Sequence, residues 1–402
     1  MADATRTFSL LEHADALFKT KYLKLSENVY NSANVLLGRV KKSYKSVGKN
    51  EFIAVPQSFA GGVGSGSLPS ANTAKYEDAL ITFKKVYGVV EIEREAIKAA
   101  ATDEGSFVRA TKETVKKGVE SYMRNMSRIL FNDGSGSLGA IAAGGVTDNT
   151  GGNYTLVISA ATWKEANFEE RDLINIESGN TDLFEIEEVD PATRAITVQR
   201  KTGSQVPAAA DVIFMQGSEN NDPQGLKGVC DATSGTLYNI PVGRRWQATQ
   251  VDASAATISS TLINQVMLAV EKKVGKAPKM IMTSYKQYEK FLNTLENQKR
   301  YNISPRDKDL KGKISFSGIE VMTSKGPIGI FPERFCEDDR MYFLNDDHIE
   351  IRHRPDFGWF DDDGTVFLRK ADSDAYEARY GGYMEVYINP TFQGVLTNLS
   401  VA

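Results

Sequence analysis

The amino-acid sequence predicts an α+β fold that carries an inserted all-β module. Through residues 103–134, apolar residues recur every three or four positions, the period of a helix with one face on a core. Residues 146–222 instead hold short apolar runs separated by turn residues, a pattern typical of antiparallel strands. Helix-rich segments lie on both sides of this module.

Composition limits the class of protein. The chain has 402 residues, of which 41% are hydrophobic and 25% charged, as in globular proteins. Its net charge of −4 does not favour direct binding to nucleic acid. Two cysteines exclude a disulfide framework and favour a reducing cytoplasm. The sequence shows no secretory signal and no apolar run of about 18 residues, so we expect no membrane insertion.

Residues 1–46 predict an arm of two short helices, and residues 47–95 predict a long hairpin. Glu51–Phe59 forms the outgoing strand, and Leu80–Glu95 returns as a single strand of unusual length. A two-stranded ribbon is marginally stable by itself in water. We therefore expect the hairpin to reach outward and lie on another molecule.

The tip of this hairpin is rich in Gly and Ser and includes Gly62 and Gly64. Spaced glycines occur in nucleotide-binding loops, but no Lys-Ser/Thr pair follows these and no helix begins there. The sequence therefore predicts an exposed, flexible tip.

The helix predicted at residues 103–133 should bury Val119, Tyr122 and Met126. Acidic and basic residues alternate four positions apart on its opposite face, which stabilises a helix. We predict that the cations of this face point outward; they are Lys112, Lys116, Lys117, Arg124 and Arg128.

Residues 223–335 predict a second α+β region. Ser259 or Ser260 should cap a helix that ends at Gly275, a strand should follow at Lys279–Thr283, and Ser284 should cap another helix. Residues 336–402 predict further strands.

The sequence gives no positive sign of an enzyme, a cofactor or a metal site. It has no Gly-x-Ser-x-Gly turn and no His-Glu-x-x-His helix. His348 and His353 lie five apart in a predicted strand, so their side chains should point to opposite faces. We predict no catalytic and no metal-binding residues.

The order of these parts resembles the major capsid protein of tailed double-stranded DNA phages, the Hong Kong ninety-seven fold. Three stretches carry the resemblance: 83–95 before the long helix, 128–134 at its end, and 380–390 near the end of the chain. It covers most of the chain except 146–222, which the minimal fold lacks.

The resemblance gives each segment a name. It implies an N-terminal arm, an extended hairpin called the E-loop, a peripheral domain with a long spine helix, an axial domain and the inserted all-β, barrel-like module. In sequence these are 1–46 for the arm, 47–83 for the E-loop, 84–145 and 336–375 for the peripheral domain, 146–222 for the inserted module, and 223–335 and 376–402 for the axial domain.

The resemblance also implies a function. Hexamers and pentamers would assemble in the host cytoplasm into an icosahedral shell that encloses double-stranded DNA without specific binding. Partners would be a portal protein, a separate scaffolding protein and possible decoration proteins. The alternative in the same class is an encapsulin-type compartment around a cargo enzyme. A soluble enzyme is the alternative from another class, and the outward-reaching hairpin argues against it.

Opposite charges predict where neighbouring subunits meet. The hairpin carries Glu51, Glu77 and Asp78, and its tip carries Gly62 and Gly64. We expect it to lie across the cationic face of a neighbour's long helix, so that assembly depends on salt concentration.

Overall fold

The computed structural model describes residues 35–58, 75–93, 104–297, 319–323, 326–355, 358–360, 368–370 and 373–401. The first 34 residues of the predicted arm, and the hairpin tip with Gly62 and Gly64, lie outside the described residues. So do the side chains of residues 104–115, among them Lys112.

The described residues contain five α-helices. In chain order they are α1 Val35–Arg39, α2 Glu104–Phe131, α3 Leu226–Cys230, α4 Ser260–Val274 and α5 Tyr285–Asn297. In this part of the chain, no helix is both long and apolar enough to cross a membrane.

The same residues contain 22 strands. In chain order they are β1 Lys41–Ser43, β2 Asn50–Ser58, β3 Lys75–Thr82, β4 Lys84–Glu93, β5 Ser137–Asp148, β6 Asn153–Ile158, β7 Leu173–Ile176, β8 Phe184–Asp190, β9 Ala195–Arg200, β10 Val212–Met215, β11 Thr236–Leu237, β12 Ile240–Pro241, β13 Thr249–Asp252, β14 Met280–Thr283, β15 Ile319–Thr323, β16 Gly326–Pro332, β17 Met341–Leu344, β18 Ile349–His353, β19 Gly358–Trp359, β20 Leu368–Arg369, β21 Ala375–Ile388 and β22 Gly394–Thr397.

The long helix is confirmed as α2. Val119, Tyr122 and Met126 are all buried in the largest hydrophobic core, as the periodicity predicts. The helix ends at Phe131, and Gly134, three residues later, has a φ of +82°, a left-handed conformation that favours glycine.

The predicted all-β module is a closed barrel with strand order β10-β5-β6-β9-β8-β7. It has a hydrophobic core of its own, which includes Leu156, Phe184 and Ile213. The barrel begins earlier than predicted, because β5 starts at Ser137, whereas the predicted module starts at residue 146. Small residues such as Gly139 and Ala140 hide the strand pattern at this end.

A six-stranded sheet, here the first sheet, contains β1, β18, β21 and β19 in order, with β4 and β20 also paired to β21. The predicted single return strand is therefore wrong: it divides at Phe83, so that β3 completes the hairpin and β4 joins β21. Gly381 permits this pairing, since a Cβ there would come within 2.1 Å of the Val86 carbonyl oxygen.

A second six-stranded sheet has the order β13-β22-β17-β14-β16-β15. Helix α4 packs on one face of it through residues such as Val266 and Val270. The predicted helix ends are confirmed: the Ser259 hydroxyl accepts a hydrogen bond from Leu262 N, and Gly275 has a φ of 74°.

The sheets correct the predicted grouping of the chain's last part. Met341–Leu344, expected with residues 84–145, belongs to the second sheet as β17. Ala375–Ile388, most of it expected with residues 223–335, belongs to the first sheet, where it pairs with β4 and β18. Strand pairing is non-local, and the alternation within a strand does not identify its partner.

We predict that Met126→Asp prevents folding of the subunit, because an unpaired buried charge costs several kcal/mol, comparable to the stability of a domain. Lys116→Asp, on the exposed face of the same helix, is the control and should leave the protein soluble. Soluble expression and circular dichroism measure both. Soluble, normally folded Met126→Asp protein would contradict the packing of α2.

Candidate assembly surfaces

The hairpin of β2 and β3 has two chemically different faces. Val55, Ala79 and Ile81 point toward the body and are buried. The backbone N–H of Leu80 also donates to the Tyr238 carbonyl at 2.9 Å, which ties the hairpin to its own chain. The described part of the hairpin is therefore anchored, contrary to the expectation that it stands clear of its own domain.

The outer face of the hairpin is apolar and exposed. Phe52 is 65% exposed and Tyr76 58%, and Ala54 and Pro56 are exposed beside them. Asp78 lies on this face, opposite Ala54 in the strand pairing, and Glu77 is exposed as well. Exposed aromatic side chains grouped on one ribbon are typical of an interaction surface.

Glu51, expected to meet a neighbour, is engaged within its own chain. Its carboxylate forms an ion pair with the Arg352 guanidinium, and Arg352 also contacts Glu350 at 3.0 Å. Arg352 lies on β18, next to the base of the hairpin, and sequence spacing does not reveal this proximity. Glu51 therefore helps to hold the hairpin, which corrects its predicted placement.

Only part of the predicted cationic face of α2 is open. Lys116 and Lys117 are exposed, and Lys116 lies 3.7 Å from Glu120, an ion pair one turn along the helix. The predicted outward placement is wrong for Arg124 and Arg128, which are largely buried under the barrel. The helical period correctly places these arginines opposite the core, but it does not reveal that a second module covers that face.

Arg124 is neutralised by two barrel carboxylates, Glu169 and Asp172. Burial lowers the pKa of Arg124, but the hydrogen bond with Glu169 and the charge of Asp172 outweigh it, so the pKa is raised overall. Burial raises the pKa of Asp172, and the charge of Arg124 offsets this only partly. The contact therefore holds a permanent cation between the helix and the barrel.

Arg128 is the more deeply buried of the two arginines, with 3% of its side chain exposed against 6% for its partner Asp222. The closest charged atoms, Arg128 Nη2 and Asp222 Oδ2, are 2.8 Å apart. The N–H bonds are not directed at the oxygen, so the contact is an ion pair without a regular hydrogen bond. Asp222 lies just after the barrel, where the chain returns to the body.

Glu337 connects the barrel to the second sheet. Its carboxylate accepts a hydrogen bond from Lys164 Nζ at 2.8 Å and lies 3.8 Å from Lys227 Nζ and from Arg340 Nε. Burial raises the pKa of Glu337, but the charges of Lys164 and Arg340 outweigh burial and lower the pKa overall. The carboxylate therefore stays ionised. The barrel is thus attached to the body by charged contacts on two sides.

Glu385 of β21 is buried close to the segment that contains Asp222 and Gln224, where the chain returns from the barrel to the body. Its Oε1 accepts hydrogen bonds from Gln224 N at 2.6 Å and Val386 N at 3.1 Å. Burial raises the pKa of Glu385 to about 7, although these two hydrogen bonds and the charge of Lys84 lower it. Glu385 therefore takes up a proton near neutral pH.

The sequence-based prediction of the site missed Phe52 and Tyr76, the exposed aromatic residues on the outer face of the hairpin. The signal was present, since Phe52, Ala54 and Pro56 alternate with Ile53 and Val55. Both sets are apolar, so the alternation predicts two faces without showing which one is exposed.

We predict that Arg128→Met lowers the free energy of unfolding by about 3–5 kcal/mol, because it leaves Asp222 buried without its cation. The double variant Arg128→Met, Asp222→Leu should lose much less, since both charges are then absent. Urea unfolding of the purified subunit measures both. If the double variant loses as much as the sum of its single variants, the two side chains are not coupled.

The raised pKa of Glu385 predicts a pH effect. Between its ordinary value of 4.5 and about 7, the folded chain keeps a proton that the unfolded chain releases. Stability should therefore fall as pH rises through this range, by roughly 3 kcal/mol at most. Glu385→Gln should reduce this fall, and Glu77→Gln, at an exposed position, should not. Equal pH profiles for wild type and Glu385→Gln would contradict the prediction.

Comparison with known proteins identifies the family. A sequence profile of the SU10 major capsid protein matches residues 84–358, more than half of the chain. No match is found among curated protein sequences.

Solved structures are similar to this chain at low sequence identity. The capsid of cyanophage A-1(L) is 12% identical, with 91% of this chain and 93% of that chain covered and a TM-score of 0.52. The holo-SrpI encapsulin of Synechococcus elongatus PCC 7942 is 8% identical, with 92% and 88% covered and a TM-score of 0.44. The procapsid of satellite phage P4 is 10% identical, with 99% and 98% covered and a TM-score of 0.43.

The profile match spans the long helix, the barrel, β4 and β18 of the first sheet and five of the six strands of the second sheet. The hairpin of β2 and β3 and the strand β21 lie outside the matched residues. The similarity to the cyanophage capsid extends over nearly the whole chain. The chain belongs to the SU10 major capsid protein family and is a structural protein of a phage capsid.

Proposed function

We propose that hexamers and pentamers of this chain close into an icosahedral shell around double-stranded DNA, and that the hairpin of each subunit lies on its neighbour. The exposed apolar face of the hairpin supports this most directly, since Phe52 and Tyr76 are exposed in a single subunit. The role is structural and non-enzymatic, and assembly takes place in the host cytoplasm.

A groove of about 560 Å³ between β4, α2 and the barrel is the proposed docking place for the neighbour's hairpin. Tyr87 and Val89 contribute exposed apolar surface to it, which suits the aromatic side chains of the ribbon. Arg124 also lines the groove but is paired with the barrel, so it helps form the wall.

Fewer charged residues than expected remain exposed for the contact between neighbouring subunits. Of the outward cations with described side chains, Lys116 and Lys117 remain available on α2, and Glu77 and Asp78 remain available on the hairpin. Exposed pairs of this kind add little affinity but speed encounter and are weakened by salt. Lys112 remains a proposed member of this set.

The proposed partners are a portal protein, a scaffolding protein and, on the barrel, a decoration protein. The barrel suits the last role because it has its own core and is joined to the body by buried ion pairs. It can therefore offer an outer surface, because its hydrophobic core is separate from the core of the body.

We predict that the double variant Phe52→Ser, Tyr76→Ser leaves the subunit folded but prevents closed shells, because both side chains are already exposed in the single subunit. Its melting temperature should equal that of wild type. Val206→Ser, which removes an exposed apolar side chain from the barrel segment, is the control and should assemble normally. Replacing residues 60–74 by a two-residue turn should also prevent closed shells. Normal shells from the double variant in electron micrographs would show that the hairpin is not an intersubunit arm.

The contents of the particles test the rest of the proposal. Particles from infected cells should contain double-stranded DNA, detected as nuclease-resistant nucleic acid after purification. Particles filled with a cargo protein and free of DNA would support the encapsulin alternative. A purified chain that stays a small oligomer under every assembly condition would contradict the shell itself.

A further inference from the structure

Charge is divided unequally between the barrel and the rest of the chain. Residues 137–222 contain five Lys and Arg against fourteen Asp and Glu, a net charge of −9. The remaining residues contain 43 Lys and Arg against 38 Asp and Glu, a net charge of +5. The overall value of −4 therefore averages an acidic module and a basic body. Charge distribution bears on anionic partners more directly than net charge.

The basic body contains a cationic cleft of about 1040 Å³. It lies between the C-terminal end of α4, the turn at 243–246 and the base of the hairpin at Val55 and Pro56. Four cationic side chains line it: Arg244, Arg245, Lys272 and Lys273. None of the described residues that line the cleft carries a carboxylate, and none belongs to the barrel.

The turn that carries Arg244 is held in place. Trp246 is buried, its indole N–H donates to the Leu237 carbonyl at 3.1 Å, and its backbone N–H donates to the Gly243 carbonyl at 2.8 Å. The turn therefore places Arg244 beside the helix end before any ligand arrives. Such preorganisation lowers the entropy lost on binding.

Like charges are held together in this cleft. The ammonium group of Lys273 donates a hydrogen bond to the Gln247 carbonyl, and burial followed by the charge of Arg244 lowers its pKa. Lysines near a helix C-terminus are stabilised by the helix dipole, which accounts for Lys272 and Lys273. It does not account for Arg244, which comes from a separate turn and adds repulsion.

We propose that this cleft binds the phosphate groups of double-stranded DNA. The proposal rests on the proposed function in one respect, that DNA is the polymer the shell encloses. Lys and Arg side chains contact phosphates without reading bases, so the contact is independent of sequence and sensitive to salt. The acidic barrel contributes no residue to the cleft, and its negative charge would repel DNA.

The test measures binding of the purified full-length subunit to a labelled, random-sequence DNA duplex of about 20 base pairs by fluorescence anisotropy. Contacts from all four cationic side chains of the cleft predict roughly a 150-fold loss of affinity between about 50 and 200 mM salt. The double variant Arg244→Ser, Lys272→Ser should bind more weakly, and its loss over the same range should shrink to roughly 12-fold. Both substituted side chains are exposed, so the fold should remain intact.

Lys45→Ser, Lys49→Ser is the matched control: it removes the same charge from exposed positions outside the cleft and should bind like wild type. Absence of binding by wild type, or equal binding by the cleft variant and wild type, would overturn the proposal. A cleft variant that loses self-association in sedimentation but keeps DNA binding would also overturn it, and would assign the cleft to carboxylates of a neighbouring copy. Electron micrographs of the same variants keep the two proposals apart, because the cleft variant should still form shells.

Discussion

A buried guanidinium group destabilises a protein unless a nearby anion compensates for its lost hydration. Helix α2 carries two such groups one turn apart. Arg124 meets the barrel residues Glu169 and Asp172, and Arg128 meets Asp222 in the segment that leaves the barrel. These acids come from the segment before β7 and from the segment after β10. The two contacts therefore hold the barrel over the C-terminal half of α2.

The remaining attachments of the barrel follow the same principle. Lys164 of the barrel segment reaches Glu337, which also lies near Arg340, and Arg340 contacts Asp231 at 2.7 Å. Removing one member of such a network leaves its buried partner uncompensated, so the loss of either one weakens the attachment of the barrel. The module is consequently a fixed part of the subunit surface, and it forms one wall of the groove in which we place the neighbour's hairpin.

The predictable parts of this structure depend on local periodicity. The apolar spacing of Val119 and Met126 predicted both a helix and its buried face, and alternation with turn residues predicted the barrel. The unpredictable parts depend on contacts between distant segments. The burial of Arg128 requires the barrel to dock on α2, and the sheet membership of β17 and β21 requires partners that alternation does not specify. The Glu51–Arg352 contact joins residues 301 positions apart, so spacing along the chain gives no sign of it.

The connection between the barrel and the body explains how a large module fits into this fold. The first and last strands of the barrel are paired, with Val212 opposite Ala140, so the chain enters and leaves at nearly the same point. The neck is closed by a hydrogen bond from Asn220 N to the Ser135 carbonyl at 2.8 Å. Beyond it, a Cβ on Gly225 would come within 2.3 Å of the Ile129 carbonyl oxygen, so only glycine lets the returning chain pass the end of α2. Because both ends of the module meet at a single narrow neck, the order of the host elements is undisturbed. The barrel surface outside its ion pairs with the body can vary while the body keeps its packing.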